Sequence, residues 1–228
     1  MTRRGAAGAG LLMIDLDNTL VDRDAAFRAA VAAFLAEQRL PAADLAWATA
    51  LDAGGYATRE DVAATLLDRY RGRASSAAVR ALVDRGAADR VVLIPGAREA
   101  LTRAVAEGWT CVVVTNGRTA QQEAKLRRTG LDRLVQGWVV SEAVGCAKPD
   151  PAIFRAAADA VGASVPRAPG AWVIGDSAHA DIAGADALGL PSVWVSNGRT
   201  WAGNSCRPTH VAPDVAAAIG HVLDAGRR

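Results

Sequence analysis

The sequence predicts an α/β protein: a parallel sheet covered on both faces by helices, with a helical insert after the first strand. Three observations predict it. From about residue 91 onward, short apolar runs alternate with helical stretches, as in chains that wind a parallel sheet. Those runs are apolar throughout rather than alternating, which is the pattern of strands buried on both faces. Between about residues 20 and 90 the alternation stops, and the chain is helix-rich with no convincing strand. At 228 residues, 51% of them hydrophobic, the chain can bury a substantial core.

The elements follow in order. "LLMIDL" (11–16) is an apolar run that ends at a turn-prone Asp-Asn and reads as a buried strand. "AAFRAAVAAFLAEQRL" has helical propensity and is closed by Pro41. In the insert, Gly54-Gly55 and Arg71-Gly72-Arg73 interrupt the helices, and Thr58 with Asp61 marks a helix start. Then come helix "GAREALTRAVAEG", strand "WTCVVVTNG", helix "TAQQEAKLRRTG" and strand "GWVVSE". "PDPAIFRAAADAVG" opens with proline in its first turn and stops at glycine, as helices prefer. Strand "AWVIGDS", helix "ADIAGADALG", strand "PSVWVSNG" and helix "APDVAAAIGHVLDAG" complete the chain.

Composition removes several function classes. The net charge is +2 with no long run of one sign, which argues against a nucleic-acid polymer as partner. No stretch approaches the 18 or so apolar residues of a membrane-spanning helix. "MTRRGAAGAG" lacks the apolar segment of a secretion signal. Cys111, Cys146 and Cys206 are odd in number, far apart and without metal-site spacing, so free thiols in a reducing cytoplasm are expected. A monomer or weak homodimer is the default.

The polar residues collect where chemistry is expected. In open α/β sheets, ligands bind beyond the carboxyl ends of the strands. One strand ends in Asp15 and Asp17, with Thr19 following, and another in Thr115-Asn116-Gly117. Lys148-Pro149-Asp150 follows a third, and a fourth ends in Gly175-Asp176-Ser177, with Asp181 beyond. In a parallel sheet these ends share one edge. Two carboxylates about 4 Å apart repel by roughly 4 kcal/mol at an effective dielectric of about 20, so Asp15 and Asp17 call for a compensating cation, proton or hydrogen-bond network. Carboxylates from different strands suit Mg²⁺, and a hydroxyl, an amide and a lysine can hold phosphate oxygens. A carboxylate beside that phosphate can attack it, and a second can carry a proton to the leaving group.

"DLDNT", "TNG", "KPD" and "GDSAHAD" together resemble the haloacid dehalogenase superfamily in its phosphatase branch, from Leu11 to the last helix. "TNGRTAQQEAKLRRTGL" and "VVSEAVGCAKPDPAIF" look most like its nucleotidase-like and sugar-phosphate phosphatase members. The resemblance implies a doubly wound, Rossmann-like catalytic core of residues 1–21 and 91–228, with 22–90 as a small α-helical cap. It implies Asp15 as a nucleophile that forms a phospho-aspartyl intermediate. Asp17 becomes the general acid/base, its main-chain carbonyl also on the metal. Thr115 and Asn116 would hold the phosphate, Lys148 would neutralise nucleophile and phosphate, and Mg²⁺ would sit on Asp15, Asp17 and Asp176. Asp181 would support the metal waters or Lys148, with Thr19 and Gly117 in supporting places. One departure is Ala180, where many relatives carry asparagine.

The function so implied is Mg²⁺-dependent hydrolysis of a small phosphate ester, a sugar phosphate or nucleotide, by a cytoplasmic enzyme. A 2-haloacid dehalogenase would use the same nucleophile without metal, but its halide leaving group gives Asp17 nothing to protonate. A phosphomutase would need its cap to hold a sugar phosphate in two orientations. A phospho-binding regulatory module of receiver type is much shorter and has no cap. His179 and the arginines at 59, 69, 71 and 73 read as solvent-facing, and Trp47 and Trp201 as packing residues that could reach a substrate.

Overall fold

The computed structural model describes residues 10–165, 170–202 and 206–227. Residues 1–9, on which the secretion-signal expectation rests, lie outside them. The chain divides into two compact units, Asp22–Val92 and the remainder. Strand β1 (Gly10–Ile14) belongs to the second and is the first element of the described residues.

The Asp22–Val92 unit is helical throughout. Asp22 caps α1 (Arg23–Glu37) by accepting from the Ala25 N–H at 3.0 Å, which satisfies one of the four open donors of the first turn. Helices α2 (Leu45–Ala50), α3 (Arg59–Arg69) and α4 (Ser76–Arg85) follow. Thr58 caps α3, accepting from the Asp61 N–H at 3.1 Å and donating to its carboxylate at 2.7 Å. Phe27, Val31, Phe34, Leu35, Leu66 and Val79 fill the interior. Trp47 packs edge-on against Tyr70 at 6.0 Å with Arg69 5.2 Å above its ring, and Arg69 and Arg71 pair with Asp44 and Asp68. Those side chains serve the unit itself. An open cavity of about 280 Å³ within the unit is lined by residues that include Arg23, Phe27, Arg28, Thr49 and Asp52.

The other unit continues with α5 (Ala97–Ala106), β2 (Trp109–Thr115), α6 (Thr119–Thr129) and β3 (Gly137–Val140). After them come α7 (Ser141–Val144), α8 (Pro151–Ala160) and β4 (Ala171–Gly175). A π-helical turn (Ala178–Ile182) leads into α9 (Ala183–Asp186), then β5 (Ser192–Val195), β6 (His210–Ala212) and α10 (Val215–Ala225). The strands form one sheet in the order β3-β2-β1-β4-β5-β6, and every neighbouring pair is parallel. This is the expected α/β, Rossmann-like sheet with one strand more than the sequence suggests. β6 has three residues and lies at the sheet edge, too short to show any periodicity.

Topology places the functional edge. The chain leaves β1 toward β2 and β3 on one side and toward β4, β5 and β6 on the other, so β1 is the switch point where such sheets open a crevice. Ile14 is in register with Val113 and Ile174, so Asp15 emerges beside Val114 and Gly175 at the carboxyl ends. The sheet is fixed from both sides. On α8, Ile153, Phe154, Ala157 and Ala158 are completely buried, and a Cβ on Gly184 would fall 2.4 Å from the Phe154 ring. Truncating such a phenylalanine costs about 3–5 kcal/mol. Leu101 on α5 and Ile219 and Val222 on α10 are likewise completely buried. No helix of the described residues is long and apolar enough to cross a membrane, and the three cysteines are unpaired.

Candidate active site

Asp15 follows the last residue of β1 and is held there by its own N–H, which donates to the Ile174 carbonyl at 2.9 Å. Its carboxylate accepts from Lys148 Nζ at 2.5 Å. The same ammonium donates to Asp181 at 2.7 Å and to the Val114 carbonyl at 2.8 Å, so three elements aim it. The other oxygen of Asp181 accepts from the Ser177 N–H at 3.0 Å. Gly175 makes this possible: a Cβ there would lie 2.2 Å from the Asp181 carboxyl. Asp181 was expected to support the metal waters or Lys148; its contact to Lys148 is present in the structure.

Burial is the dominant force on the Asp15 carboxyl and pushes it well above the usual carboxylate range. Lys148 opposes that shift, while Asp181 and Asp176 add to it. Burial also works against the Lys148 ammonium, but the Asp15 and Asp181 carboxylates outweigh it and hold the lysine above its ordinary value. The ammonium therefore stays charged.

Asp176 lies just past β4. Its carboxylate accepts from Arg199 at 2.9 Å, and its main-chain carbonyl accepts from the Trp194 indole N–H at 2.8 Å. Arg199 in turn lies 5.6 Å above the Trp194 ring, and Trp201 packs edge-on against Trp194 at 4.9 Å. Burial, then Asp181, raises Asp176 to about 6 against the opposing pull of Arg199 and Lys148. Trp194 and Arg199 are site neighbours that the sequence motifs do not point to. Trp201 belongs to their packing, and His179 is exposed.

Asp17 takes a different direction. Lys125 Nζ lies 2.7 Å from each of its carboxylate oxygens, and Gln122 Nε2 lies 3.0 Å from one of them. Gln122 also donates to the Thr115 hydroxyl at 2.5 Å and to the Asn116 carbonyl at 3.2 Å. Gln122, Lys125, Leu126 and Thr129 form the buried face of α6 at the i, i+3, i+4, i+7 spacing. Two polar side chains on such a face signal buried partners. That signal was available in "TAQQEAKLRRTG", where neither residue belongs to a strand-end motif.

The remaining expected residues divide. Thr115 is buried at the end of β2, within the Gln122 network. The Asn116 side chain makes a reciprocal pair with the Lys148 main chain, at 3.0 and 2.8 Å, so that amide fixes the lysine loop instead of standing open for a ligand. Gly117 adopts φ +145°, donates to Ser141 Oγ at 2.9 Å and lets Gln122 pack close, within 3.1 Å of where a Cβ would stand. Thr19 is completely buried, yet its hydroxyl has no hydrogen-bond partner among the described residues. Its loop is closed by the main chain instead, through Leu20 and Val21 N–H bonds to the Leu16 carbonyl and an Asn18 N–H bond to Val21.

Oxygen atoms of Asp15, Asp176 and Asp181 lie within 4.8 Å of one another. The donors are all hard oxygens, and three carboxylates outnumber the two cations that meet them, Lys148 and the half-exposed Arg199, a surplus of negative charge that fits a divalent cation such as Mg²⁺. Asp181 is occupied by Lys148 and Ser177, which leaves Asp15 and Asp176 as the carboxylates best placed to hold it. The carboxylate of Asp17 is not in this group, so any contact of Asp17 to a metal would fall to its main-chain carbonyl.

The chain is similar to known proteins over most of its length. A family model described as haloacid dehalogenase-like hydrolase matches residues 10–189. The chain is 31% identical over 171 residues to the pyrimidine 5'-nucleotidase YjjG of Escherichia coli, which spans 71% of this chain and 72% of that one. It is 33% identical over 106 residues to glyceraldehyde 3-phosphate phosphatase of Pyrococcus furiosus, a match covering 46% of this chain and less than half, 43%, of that relative. A crystal structure of the HAD-hydrolase YfnB of Bacillus subtilis bound to magnesium superposes with a TM-score of 0.75 at 25% identity, over 94% of this chain and 98% of that one. The family model covers most of the chain, and the chain belongs to the haloacid dehalogenase-like hydrolase family.

Proposed function

We propose that this chain is a Mg²⁺-dependent phosphomonoesterase that hydrolyses a small phosphorylated metabolite, a sugar phosphate or nucleotide, through a phospho-aspartyl intermediate on Asp15. The observation that carries the reading is the buried contact of Asp15 with Lys148 Nζ at 2.5 Å, with a second acid, Asp17, held separately two residues on. The names of the relatives support the substrate class, since one is a nucleotidase and the other a sugar-phosphate phosphatase.

Asp15 attacks phosphorus, and the electron pair of the breaking P–O bond goes to the leaving oxygen. Asp17 gives that oxygen its proton and the alcohol departs. In the second step the Asp17 carboxylate takes a proton from water. The water oxygen bonds to phosphorus, and the bond to Asp15 breaks, releasing phosphate. Lys148 faces the charge on Asp15 and the phosphoryl oxygens throughout. Gln122 donates to the Thr115 oxygen, so that hydroxyl acts as a donor; its hydrogen, long at 3.4 Å to the Asn116 carbonyl, would turn to a phosphate oxygen. Asp15, Asp176 and the main-chain carbonyl of Asp17 would hold Mg²⁺, whose positive charge stabilises the transferring phosphoryl group. In this reading residues 22–92 are a cap that selects the substrate.

The test is phosphate release from a panel of sugar phosphates, nucleotides and phosphorylated acids. The expected result is release with Mg²⁺ that chelation abolishes and Asp15→Asn abolishes. Absence of release across the panel, or activity unchanged in Asp15→Asn, contradicts the reading. Metal-independent turnover of a 2-haloacid would replace it with the dehalogenase alternative.

A further inference from the structure

We infer that Lys125 is a positioning residue for the proton transfer: from α6 it fixes the carboxylate of Asp17, with Gln122 as its partner. The inference rests on the reading of Asp17 as the acid/base.

Lys125 Nζ lies 2.7 Å from both oxygens of Asp17, and Gln122 Nε2 adds a third donor at 3.0 Å. Three contacts to two oxygens set both the position and the plane of the carboxylate. The side chain of Lys125 is 7% exposed and that of Asp17 is 24% exposed, so the pair is shielded on the lysine's side and open on the acid's. An ammonium is costly to bury, and a well-packed apolar side chain serves a merely structural need at least as well. The placement of Lys125 is thus unexplained by packing. It also does not belong to the Lys148 cluster, because the described contacts of Lys148 run to Asp15, Asp181 and Val114. Gln122 spans the two systems by holding Asp17 and Thr115 together, so the proton donor and the proposed phosphate-binding hydroxyl are set relative to each other.

A misplaced acid harms only those reactions that need it. An alkyl phosphate expels a strongly basic alkoxide and needs the proton as the P–O bond breaks. p-Nitrophenyl phosphate expels a stable phenolate and does not. The informative quantity is kcat/KM, which reports formation of the phospho-aspartyl enzyme, as the ratio of an alkyl phosphate to p-nitrophenyl phosphate. This ratio is independent of the fraction of enzyme that is folded.

For Lys125→Met the ratio should fall by about 10-fold or more, as a part of the ~10²–10⁴-fold that a positioned acid contributes. Lys125→Arg should recover part of the loss, and Gln122→Leu should lower the ratio in the same direction, which keeps the test available if Lys125→Met folds poorly. Asp17→Asn is the control. If its ratio falls and those of Lys125→Met and Gln122→Leu equal that of the wild type, the positioning role is overturned and the reading of Asp17 stands. If the ratio is unchanged in Asp17→Asn as well, the acid/base reading itself is overturned.

Discussion

Asp15 and Asp17 lie two residues apart, yet they are held by different lysines on different elements, Lys148 at 2.5 Å and Lys125 at 2.7 Å. β1 ends at Ile14, so the pleat that would put both carboxylates on one face no longer applies. The repulsion implied by their spacing is offset at separate cations. This separation fits the two proposed roles, one acid pointed into the carboxylate cluster for attack and the other anchored to α6 for proton transfer.

Removing Lys148 should damage both chemistry and folding. Lys148→Met leaves Asp15 and Asp181 facing each other in a buried site. Phosphate release should fall by about 10²–10³-fold, the usual loss of one electrostatic stabiliser, and stability by about 3–5 kcal/mol. Steady-state kinetics and denaturant unfolding measure the two. Wild-type turnover in this variant contradicts the assignment.

Asp176 predicts a pH effect on the chelated protein. Its carboxyl is raised from 3.8 to about 6, so the folded chain holds that proton more tightly than the unfolded chain does. Its contribution to stability is complete below the unfolded value and is lost as pH rises through the folded one. Between about pH 4 and pH 7 the loss is at most about 3 kcal/mol, or several degrees in Tm at roughly 2–4 °C per kcal/mol. Thermal melts in chelator should show that decline, and Asp176→Asn should flatten it. Equal slopes in the two proteins contradict the prediction.

Gly175→Ala should separate folding from function. The added Cβ would fall 2.2 Å from the Asp181 carboxyl, which must move and take its hold on Lys148 with it. The strain costs about 1–3 kcal/mol, while kcat should drop at least ~10-fold, as expected when a catalytic group is misplaced. A folded variant with unchanged kcat shows that Asp181 does not aim Lys148.

Arg199 should compete with the metal. Its guanidinium is on the Asp176 carboxylate at 2.9 Å, and its side chain is 51% exposed, so the pair is weak. Arg199→Ala should tighten Mg²⁺ binding by up to about 5-fold, read by calorimetry in the absence of substrate. Unchanged or weaker binding contradicts this.

The strand-end residues were legible because apolar runs that stop at acids or at Thr-Asn-Gly announce both a strand and its functional end. The same logic located β1, β2 and β4 and the residues after them. Asn116 was legible as part of the site but not in its partner, since its pairing with Lys148 depends on the loop geometry. Thr19 was expected in a supporting place, while its burial and its unpartnered hydroxyl come from the tertiary fold. Arg199 lies in a loop and reaches Asp176 only through tertiary folding, with no local pattern to show it. β6 is set by pairing with β5 more than by its own three residues. Lys125 and Gln122 share a helix face with Leu126, but charge on a helix usually means solvent, and that spacing does not name Asp17 as their partner.

The most direct measurement is to identify the phosphorylated residue. The enzyme, slowed in its second step by Asp17→Asn, is mixed with a phosphate ester whose leaving group needs no proton, quenched in acid and digested for mass spectrometry. One phosphoryl group is expected on Asp15, and none when Asp15→Asn is added. Phosphate released with no label on Asp15, or a label on another residue, would contradict that expectation.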